Sequence, residues 1–261
     1  MTAISESVVL KRVNGKAGEH EARVCGFVNA SVGSFKGSKF VIGVLSAKPS
    51  IEGGWVIGLE RAEGSLRDEL NSHRNKCSRP GIRRIRQVIV SVLGGLQFLH
   101  GLGLVHNDIK PDNILCMRGG HIKIGDLGSA DIPNDGTKVT GTLVYMSPEQ
   151  VQRLKGEHSE VSHSSDLFSL AVTVNEMLGD TRVPSWMVPN ESGQLVPLQE
   201  EGAVLWNRCN RTARLKRAEC PFGADEYTIQ VFEVIEAMLI ETADERPSIV
   251  DVARMMTMPW M

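Results

Sequence analysis

The stretch LVHNDIKPDNIL, residues 104–115, constrains this chain more than any other part of its sequence. It places a His, two Asp, a Lys and two Asn within eight residues, with apolar residues on both sides. Asp-rich turns often cap helices, so KPDN taken alone is most simply interpreted as a polar turn. Four segments that follow it in order argue for a chemical role instead: IGDLGSA, GTLVYMSPEQ, SDLFSLAVTVNEML and ERPSIVDVARMMTMPWM.

The segment HNDIKPDN resembles the catalytic loop of eukaryotic-type protein kinases, whose pattern is H-R-D-x-x-x-x-N. Small-molecule phosphotransferases share that loop, and its companions make the signal specific. IGDLGSA resembles the D-F-G segment, and GTLVYMSPEQ resembles the A-P-E end of the activation segment, with Ser147 in place of Ala. The resemblance extends from about residue 8 to the end of the chain. It implies an α+β, bilobal protein-kinase-like fold, with a small β-rich N-lobe and a larger helical C-lobe.

The resemblance also implies a reaction, the transfer of the ATP γ-phosphate to Ser or Thr hydroxyls of a protein substrate. Phosphoryl transfer depends mainly on positioning and on neutralising phosphate charge. By resemblance, Asp108 orients the attacking hydroxyl and Lys110 contacts the γ-phosphate. Asn113 and Asp126 hold Mg²⁺, a hard cation that prefers oxygen ligands. Leu115 forms part of the floor beneath adenine, so ATP and Mg²⁺ are the expected cofactors.

Other matched positions have structural or regulatory places in the family. His106 is expected to pack beneath the magnesium-binding segment rather than to carry a proton. Glu149 and Arg246 are expected to form a structural ion pair, and Asp166 is expected to be buried at the start of the central C-lobe helix. Gly128 is assigned as the glycine of the D-L-G segment. Thr142 is assigned as the threonine that is typical of the Ser/Thr-specific branch of the family.

The upstream part of the chain supplies candidates for the rest of the ATP site. VVLK resembles the family's V-A-I-K strand and nominates Lys11 to contact the α- and β-phosphates; the alternative is a solvated strand-edge lysine. Glu21 is the favoured partner of this lysine, because the residues at i+3, i+4 and i+7 from it are apolar. Glu19, on another helix face, is its competitor. Glu60 and Ala62 are expected in a hinge whose backbone pairs with adenine.

The glycine-rich turn that usually covers ATP is not found before Lys11, where ten residues are too few for two strands and a turn. VGSFKGSKF, residues 32–40, contains glycines but follows the lysine. Three accounts remain open. The chain is a kinase that works without the lid, similar to the with-no-Gly-loop kinases of apicomplexan parasites; a pseudokinase serving as a nucleotide-binding or scaffold module; or a fragment whose loop lies upstream. Activity is favoured over the pseudokinase, because each charged residue expected at the phosphates is present.

Two positions depart from the family pattern. Asn107 stands where an Arg normally meets a phosphorylated residue of the activation segment. Thr137 and Thr140 are candidate phosphosites, but the usual partner for their phosphate is missing. We therefore expect activity not to depend on phosphorylation of this segment. Leu127 replaces the Phe of D-F-G and keeps an apolar side chain there.

Composition argues against other classes of function. The 31 acidic residues against 29 Lys and Arg give a formal net charge of −2, which does not support a nucleic-acid or membrane-surface partner. Five cysteines without C-x-x-C spacing indicate reduced thiols, a cytoplasmic or nuclear location and no zinc site. The N-terminus lacks a signal-peptide pattern. The longest apolar run, residues 88–105, is interrupted by polar residues and glycines, so it predicts a buried helix rather than a membrane span.

The periodicity of apolar residues divides the chain at the hinge. Residues 1–62 are predicted to form a truncated N-lobe with the hinge, with strands in VVLKRV, KFVIGVL and WVIGLE and a short helix between the first two. Residues 63–261 are predicted to form the C-lobe, and residues 180–226 show no clear periodicity. The C-lobe helices are predicted in SLRDELNSH, IRRIRQVIVSVLGGLQFLH, DLFSLAVTVNEMLG and YTIQVFEVIEAMLIE.

Overall fold

The computed structural model has a small sheet followed by a mainly helical region. The strands of the sheet are β1 (Val8–Val13), β2 (Val44–Pro49) and β3 (Trp55–Glu60), antiparallel in the order β1-β3-β2. Helix α1 (Gly15–Ala30) packs on one face of this sheet. The structure describes residues 8–33, 36–76, 78, 80–131, 141–178, 187–189, 195–197 and 226–256.

The sheet follows the expected alternation of strand side chains. Val13 and Lys11 lie opposite Trp55 and Ile57, and the apolar members of this face pack towards α1. The helix starts two residues after β1 ends, which is possible because residue 18 is a glycine. A Cβ atom at Gly18 would lie 2.7 Å from the backbone carbonyl carbon of Val13. This short connection brings the start of the helix back over the end of β1.

The helical region surrounds a second apolar core. Its centre is formed by the fully buried faces of α3 (Ile82–Gly101), α5 (His163–Leu178) and α6 (Glu226–Met238). The outer helices are α2 (Leu66–Asn75), α4 (Pro148–Leu154) and α7 (Ile249–Met255). The predicted arrangement, a β-rich lobe followed by a larger helical lobe, is confirmed.

Short strands line the boundary between the two lobes. The antiparallel hairpin of β5 (Ile114–Cys116) and β6 (Ile122–Ile124) is extended by β4 (Gly64–Ser65). A separate pair is formed by β7 (Met187–Pro189) and β8 (Leu195–Pro197). Ile114 and Ile124 are buried in the larger core, which fixes the hairpin on the helical lobe.

The apolar run at residues 88–105 lies largely in α3, whose inner face is almost fully buried in the larger core. No helix within the described residues combines the length and apolar character needed to cross a membrane.

The prediction of a strand over KFVIGVL was wrong in its bounds. Residues 38–40 form a 3₁₀ turn, and β2 begins only at Val44. The cause is packing against α3, because a Cβ atom at Gly37 would lie 2.0 Å from the carbonyl oxygen of Gly94. The Phe40 ring covers the same helix, 2.4 Å from where a Cβ at Gly94 would stand. The glycines of this segment thus allow it to lie close to the helix.

Candidate active site

The catalytic-loop candidate is fixed from below by one buried carboxylate. Asp166, 1% exposed at the first turn of α5, accepts hydrogen bonds from the backbone N–H groups of His106 (2.8 Å) and Asn107 (2.9 Å). His100 Nε2 lies 2.9 Å from the same carboxylate. His106 is fully buried, with its Nε2 3.0 Å from the carbonyl oxygen of Gly125. The loop is therefore held in place by groups that water does not reach.

Asp108 has one carboxylate oxygen engaged and one without a partner. Its Oδ2 accepts hydrogen bonds from Lys110 Nζ at 2.7 Å and from Asn113 Nδ2 at 2.9 Å. Its Oδ1 is buried and has no hydrogen-bond donor among the described residues. Lys110 Nζ also donates to Thr142 Oγ1 at 2.7 Å, which joins the catalytic loop to the end of the activation segment. Oδ1 is therefore a buried acceptor whose hydrogen bond no described residue supplies.

The two candidate magnesium ligands lie at the same end of the β5–β6 hairpin. Asn113 precedes β5 and Asp126 follows β6 by two residues, and the N–H of Gly125 donates to the carbonyl oxygen of Asn113 at 2.8 Å. The Asn113 amide nitrogen is bound to Asp108, while its amide oxygen accepts no hydrogen bond from a described residue. An amide and a carboxylate oxygen fit Mg²⁺, which usually completes its octahedron with phosphate oxygens and water.

Lys11 lies between two carboxylates. Its Nζ is 2.6 Å from Glu21 Oε1 and 2.9 Å from Asp126 Oδ1, so the structure brings the β1 lysine to the hairpin of the other lobe. Burial opposes the charged form of Lys11, but the hydrogen bonds and charges of Glu21 and Asp126 outweigh it and raise the lysine pKa. Burial likewise opposes ionisation of Asp126, yet Lys11 lowers the pKa of this carboxyl. Both groups are therefore held in their charged forms.

The competitor for the lysine partner is placed elsewhere. Glu19 pairs with Arg23 at 2.6 Å on a more exposed face of α1, whereas Glu21 is 7% exposed. Gly128 follows the left-handed Asp126 (φ 54°) and lies beside the Glu21 carboxylate. Leu127, 1% exposed, packs in the smaller core with α1. Glu21 is thus the α1 carboxylate that meets Lys11.

In the predicted hinge, the Glu60 side chain contacts residues other than Lys11. The Glu60 carboxylate accepts a hydrogen bond from the Gly43 N–H at 2.6 Å and pairs with Lys123. Among the described residues, nothing bonds to the backbone N–H or C=O of Ala62. Leu115 alternates with Ile114 and Cys116, which pack on the larger core, and so lies on the opposite face of the hairpin. Ala62 retains the free backbone groups that pairing with adenine would require.

The activation-segment end is anchored by a buried ion pair. Arg246 donates from both terminal nitrogens to Glu149, at 2.6 and 2.7 Å, and Ser165 adds a hydrogen bond to the same carboxylate at 2.8 Å. Burial opposes the charge of Glu149, but Arg246 outweighs it and lowers the carboxyl pKa. Gly141 (φ 130°) passes so close to the loop that a Cβ there would lie 2.5 Å from the carbonyl oxygen of Asn107.

Sequence reasoning missed the role of Ser147. Its side chain caps α4, forming a capping box with Gln150, and the Gln150 amide also donates to the carbonyl oxygen of Asn107 at 3.2 Å. The spacing of Ser and Gln in SPEQ is the usual signal for a capping box, and it was available in the sequence. The substitution of Ser for Ala thus stabilises the start of this helix.

Sequence reasoning also missed the role of Arg67, which contacts the end of the activation segment. Arg67 donates to Glu176 at 2.6 Å, to the Tyr145 hydroxyl at 2.5 Å and to Asp112 at 3.3 Å. Burial disfavours its charge, but the hydrogen bond to Glu176 and the charges of Tyr145, Glu176 and Asp112 together outweigh burial and raise the guanidinium pKa. Arg67 thereby ties α2 to α5, the catalytic loop and the activation segment. No local pattern predicts such a contact, since its members lie far apart in sequence.

Asn107 makes an internal contact where the family has a phosphate-binding arginine. It has a left-handed backbone (φ 67°), and its side-chain Nδ2 donates to the carbonyl oxygen of Ser129 at 3.1 Å. The amide therefore connects the catalytic loop directly to the D-L-G segment. The candidate phosphosites Thr137 and Thr140 lie outside the described residues.

Comparison with known families gives the class of this protein. Residues 34–261, most of the chain, match the family described as "Protein kinase domain". The chain therefore belongs to the protein kinase domain family, and the predicted kinase resemblance and bilobal fold are confirmed. Members of this family generally use ATP and Mg²⁺. The match begins after Lys11 and Glu21, so the assignment of these two residues rests on their sequence pattern and their geometry.

Several individual relatives are kinases. The mouse "Interferon-induced, double-stranded RNA-activated protein kinase" is 41% identical over 112 residues, 41% of this chain and 20% of the relative. "Mitogen-activated protein kinase kinase 10" of Arabidopsis thaliana is 39% identical over 116 residues, 44% of this chain and 37% of the relative. "Serine/threonine-protein kinase Tao" of Drosophila melanogaster is 32% identical over 123 residues, 47% of this chain and 11% of the relative. The matched part thus spans well under half of each relative.

Proposed function

We propose that this chain is an active Ser/Thr protein kinase, which transfers the γ-phosphate of Mg·ATP to Ser or Thr hydroxyls of protein substrates. The observation that carries this proposal is the unpartnered Oδ1 of Asp108. A buried polar atom without a hydrogen bond costs about 1–3 kcal/mol, so such atoms persist where a ligand supplies the missing partner. A substrate hydroxyl is a donor of the right kind, and Asp108 would orient it for attack on the γ-phosphate.

The surrounding charges support the same reaction. Lys110 donates hydrogen bonds to both Asp108 and Thr142, so its charge lies beside the Asp108 carboxylate. There it would neutralise charge on the γ-phosphate. Lys11, oriented by Glu21, would contact the α- and β-phosphates. Asn113 and Asp126 would hold Mg²⁺ through their oxygens. The bound metal supplies neutralisation and orientation of the phosphate oxygens.

The remaining contacts concern adenine and the substrate class. The free backbone groups of Ala62 would pair with the adenine edge, and Leu115 would lie beneath the base. The hydrogen bond from Lys110 to Thr142 supports Ser/Thr specificity, because it would hold the activation segment next to the hydroxyl that accepts the phosphate. Two relatives carry names that specify a serine/threonine-protein kinase, which supports the proposed Ser/Thr specificity.

The test compares the full chain with Asp108→Asn in the transfer of labelled phosphate from Mg·ATP to a Ser/Thr-rich protein mixture. Loss of the carboxylate should reduce the rate by about 10²- to 10⁴-fold, the range found for general acid–base groups. Asp244→Asn, which alters an exposed carboxylate near α7, is the control and should leave the rate unchanged. No transfer by the parent chain, while Mg·ATP still raises its melting temperature, would identify a pseudokinase and overturn the proposal.

A further inference from the structure

A cavity of about 530 Å³ lies beside the hinge, and two hinge residues, Glu60 and Arg61, line it. It contains no other residue of the proposed ATP site. Its walls come from both lobes. Lys39 and Phe40 belong to the connection before β2, Arg61 follows β3, and the turn between β5 and β6 contributes Arg118. We call this feature the hinge groove. A molecule bound in it would contact both lobes and the segment that joins them.

The rim of the hinge groove carries positive charge that no described residue neutralises. Lys39, Arg61 and Arg118 are exposed, and none of them forms an ion pair or a side-chain hydrogen bond with any described residue. The remaining lysine, Lys123, pairs with Glu60, so these two charges cancel. Three free cations therefore surround one cavity in a chain whose formal net charge is −2. Such a local excess favours an anionic ligand.

The floor of the hinge groove is apolar. Met117 and Ile122 line it at 8% and 1% exposure, and the half-buried Phe40 ring forms one side over α3. Lys39 Nζ lies 5.0 Å from the centre of that ring, so the charge sits directly beside the apolar surface. The groove thus offers contacts for an apolar side chain next to contacts for carboxylates.

We propose that the hinge groove binds an acidic segment of a partner protein, in which one apolar side chain is flanked by Asp and Glu residues. Charge complementarity with the three rim cations selects the acidic flanks, and the floor selects the apolar residue. A nucleic acid fits less well, because its affinity comes from a series of phosphate contacts along an extended basic surface, and its backbone offers nothing to the floor. This inference does not depend on phosphate transfer.

The test uses fluorescence anisotropy of a labelled peptide, Asp-Glu-Asp-Leu-Asp-Glu-Asp, with the full chain at low salt. We expect saturable binding to the parent chain. The triple variant Lys39→Glu, Arg61→Glu, Arg118→Glu should weaken it at least about tenfold, because each exposed charge contact is worth a factor of about two to five. The control variant Lys16→Glu, Lys48→Glu, Lys155→Glu makes the same change in net charge at exposed positions away from the groove and should leave binding intact.

A second part of the experiment changes the peptide and leaves the protein unaltered. Replacing its Leu by Ser should weaken binding to the parent chain about tenfold, as expected for loss of a buried leucine side chain. The proposal is overturned if the parent chain shows no binding below about 1 mM, or if the groove and control variants weaken it equally. It is also overturned if the Ser peptide binds as well as the Leu peptide. Tighter binding of a single-stranded RNA of equal charge, released by the groove variant, would assign the groove to nucleic acid instead.

Discussion

The two walls of the phosphate-transfer cleft are held by different kinds of contact. The lower wall, on the helical lobe, is fixed by Asp166, His106 and the Glu149–Arg246 pair, all 6% exposed or less. The upper wall is β1, at one edge of the described sheet, where Val8 is 44% and Leu10 70% exposed. Its lysine side chain remains 37% exposed and depends on two ion pairs for its position.

Because of this difference, we expect the lower wall to determine the free energy of unfolding and the upper wall to determine the position of Lys11. Removing one partner of a buried, hydrogen-bonded charge leaves the other without compensation and costs about 3–5 kcal/mol. Glu21 is buried, but the Lys11 and Asp126 side chains are 37% and 46% exposed. An ion pair with such a partly exposed partner is worth about 0–1 kcal/mol and weakens as salt is added. The lower wall therefore contributes to the free energy of unfolding and is already formed without substrate. The upper wall contributes little to stability, and its contacts serve to place the lysine.

The largest effect is expected at the base of the lower wall. Asp166→Ala removes a buried carboxylate that accepts from two backbone N–H groups and pairs with His100. We expect the free energy of unfolding to fall by about 3–5 kcal/mol, measured by urea denaturation. The control is Asp251→Ala, which removes an exposed carboxylate of the capping box of α7 and should cost about 1 kcal/mol. Equal losses in the two variants would remove the distinction between buried and exposed support.

The second effect tests the upper wall and should appear in activity rather than in stability. Glu21→Gln weakens the ion pair that orients Lys11, so we expect phosphate transfer to slow by about 10²-fold, as for other misplaced catalytic groups. The urea midpoint should change by less than the equivalent of about 1 kcal/mol. Glu19→Gln is the matched control on the same helix, and it should alter neither quantity. A Glu21→Gln protein with full activity would contradict the role given to the pair.

The third effect is the response of the lower wall to acid. Burial opposes ionisation of Asp166 and Glu149, but the combined hydrogen bonds and charges of their neighbours, chiefly His100 and Arg246 respectively, outweigh it, so both carboxyl pKa values are lowered. The folded state then binds fewer protons than the unfolded state, and this stability is complete above about pH 5 and lost as the pH falls through the folded-state pKa values. Burial and the nearby His100 also lower the pKa of His163, which adds an earlier loss below about pH 6.5.

Urea midpoints measured at pH 7, 5.5, 4 and 3 would separate the two stages. We expect a small decline between the first two values and a steeper one below pH 4, at about 1.4 kcal/mol for each pKa unit of difference between the states. His163→Gln should abolish only the first decline. A midpoint that stays constant down to pH 3 would show that the buried carboxylates are not held ionised.

How much of this could be predicted from sequence depends on the range of the contacts involved. The catalytic loop is predictable because its chemistry needs fixed residue types within eight residues. Spacing along one helix likewise nominates Glu21 over Glu19. The late start of β2 was not predictable, because it results from packing of Phe40 on Gly94, which is distant in sequence. Arg67 and the hinge groove are of the same kind, since each gathers single residues from several segments whose proximity only the fold establishes.

The smallest effect concerns whether the lower wall requires phosphorylation of the activation segment to reach its active arrangement. The Asn107 side chain already bonds to the D-L-G segment at Ser129, at the position where an arginine would await a phosphorylated residue. We therefore expect the double variant Thr137→Ala, Thr140→Ala to transfer phosphate at the parent rate, and phosphatase treatment of the parent chain to change nothing. Asn107→Ala should slow transfer by a factor of about two to ten, corresponding to one hydrogen bond. Loss of activity in the double variant would show that this wall is completed by phosphorylation, as in kinases that carry the arginine.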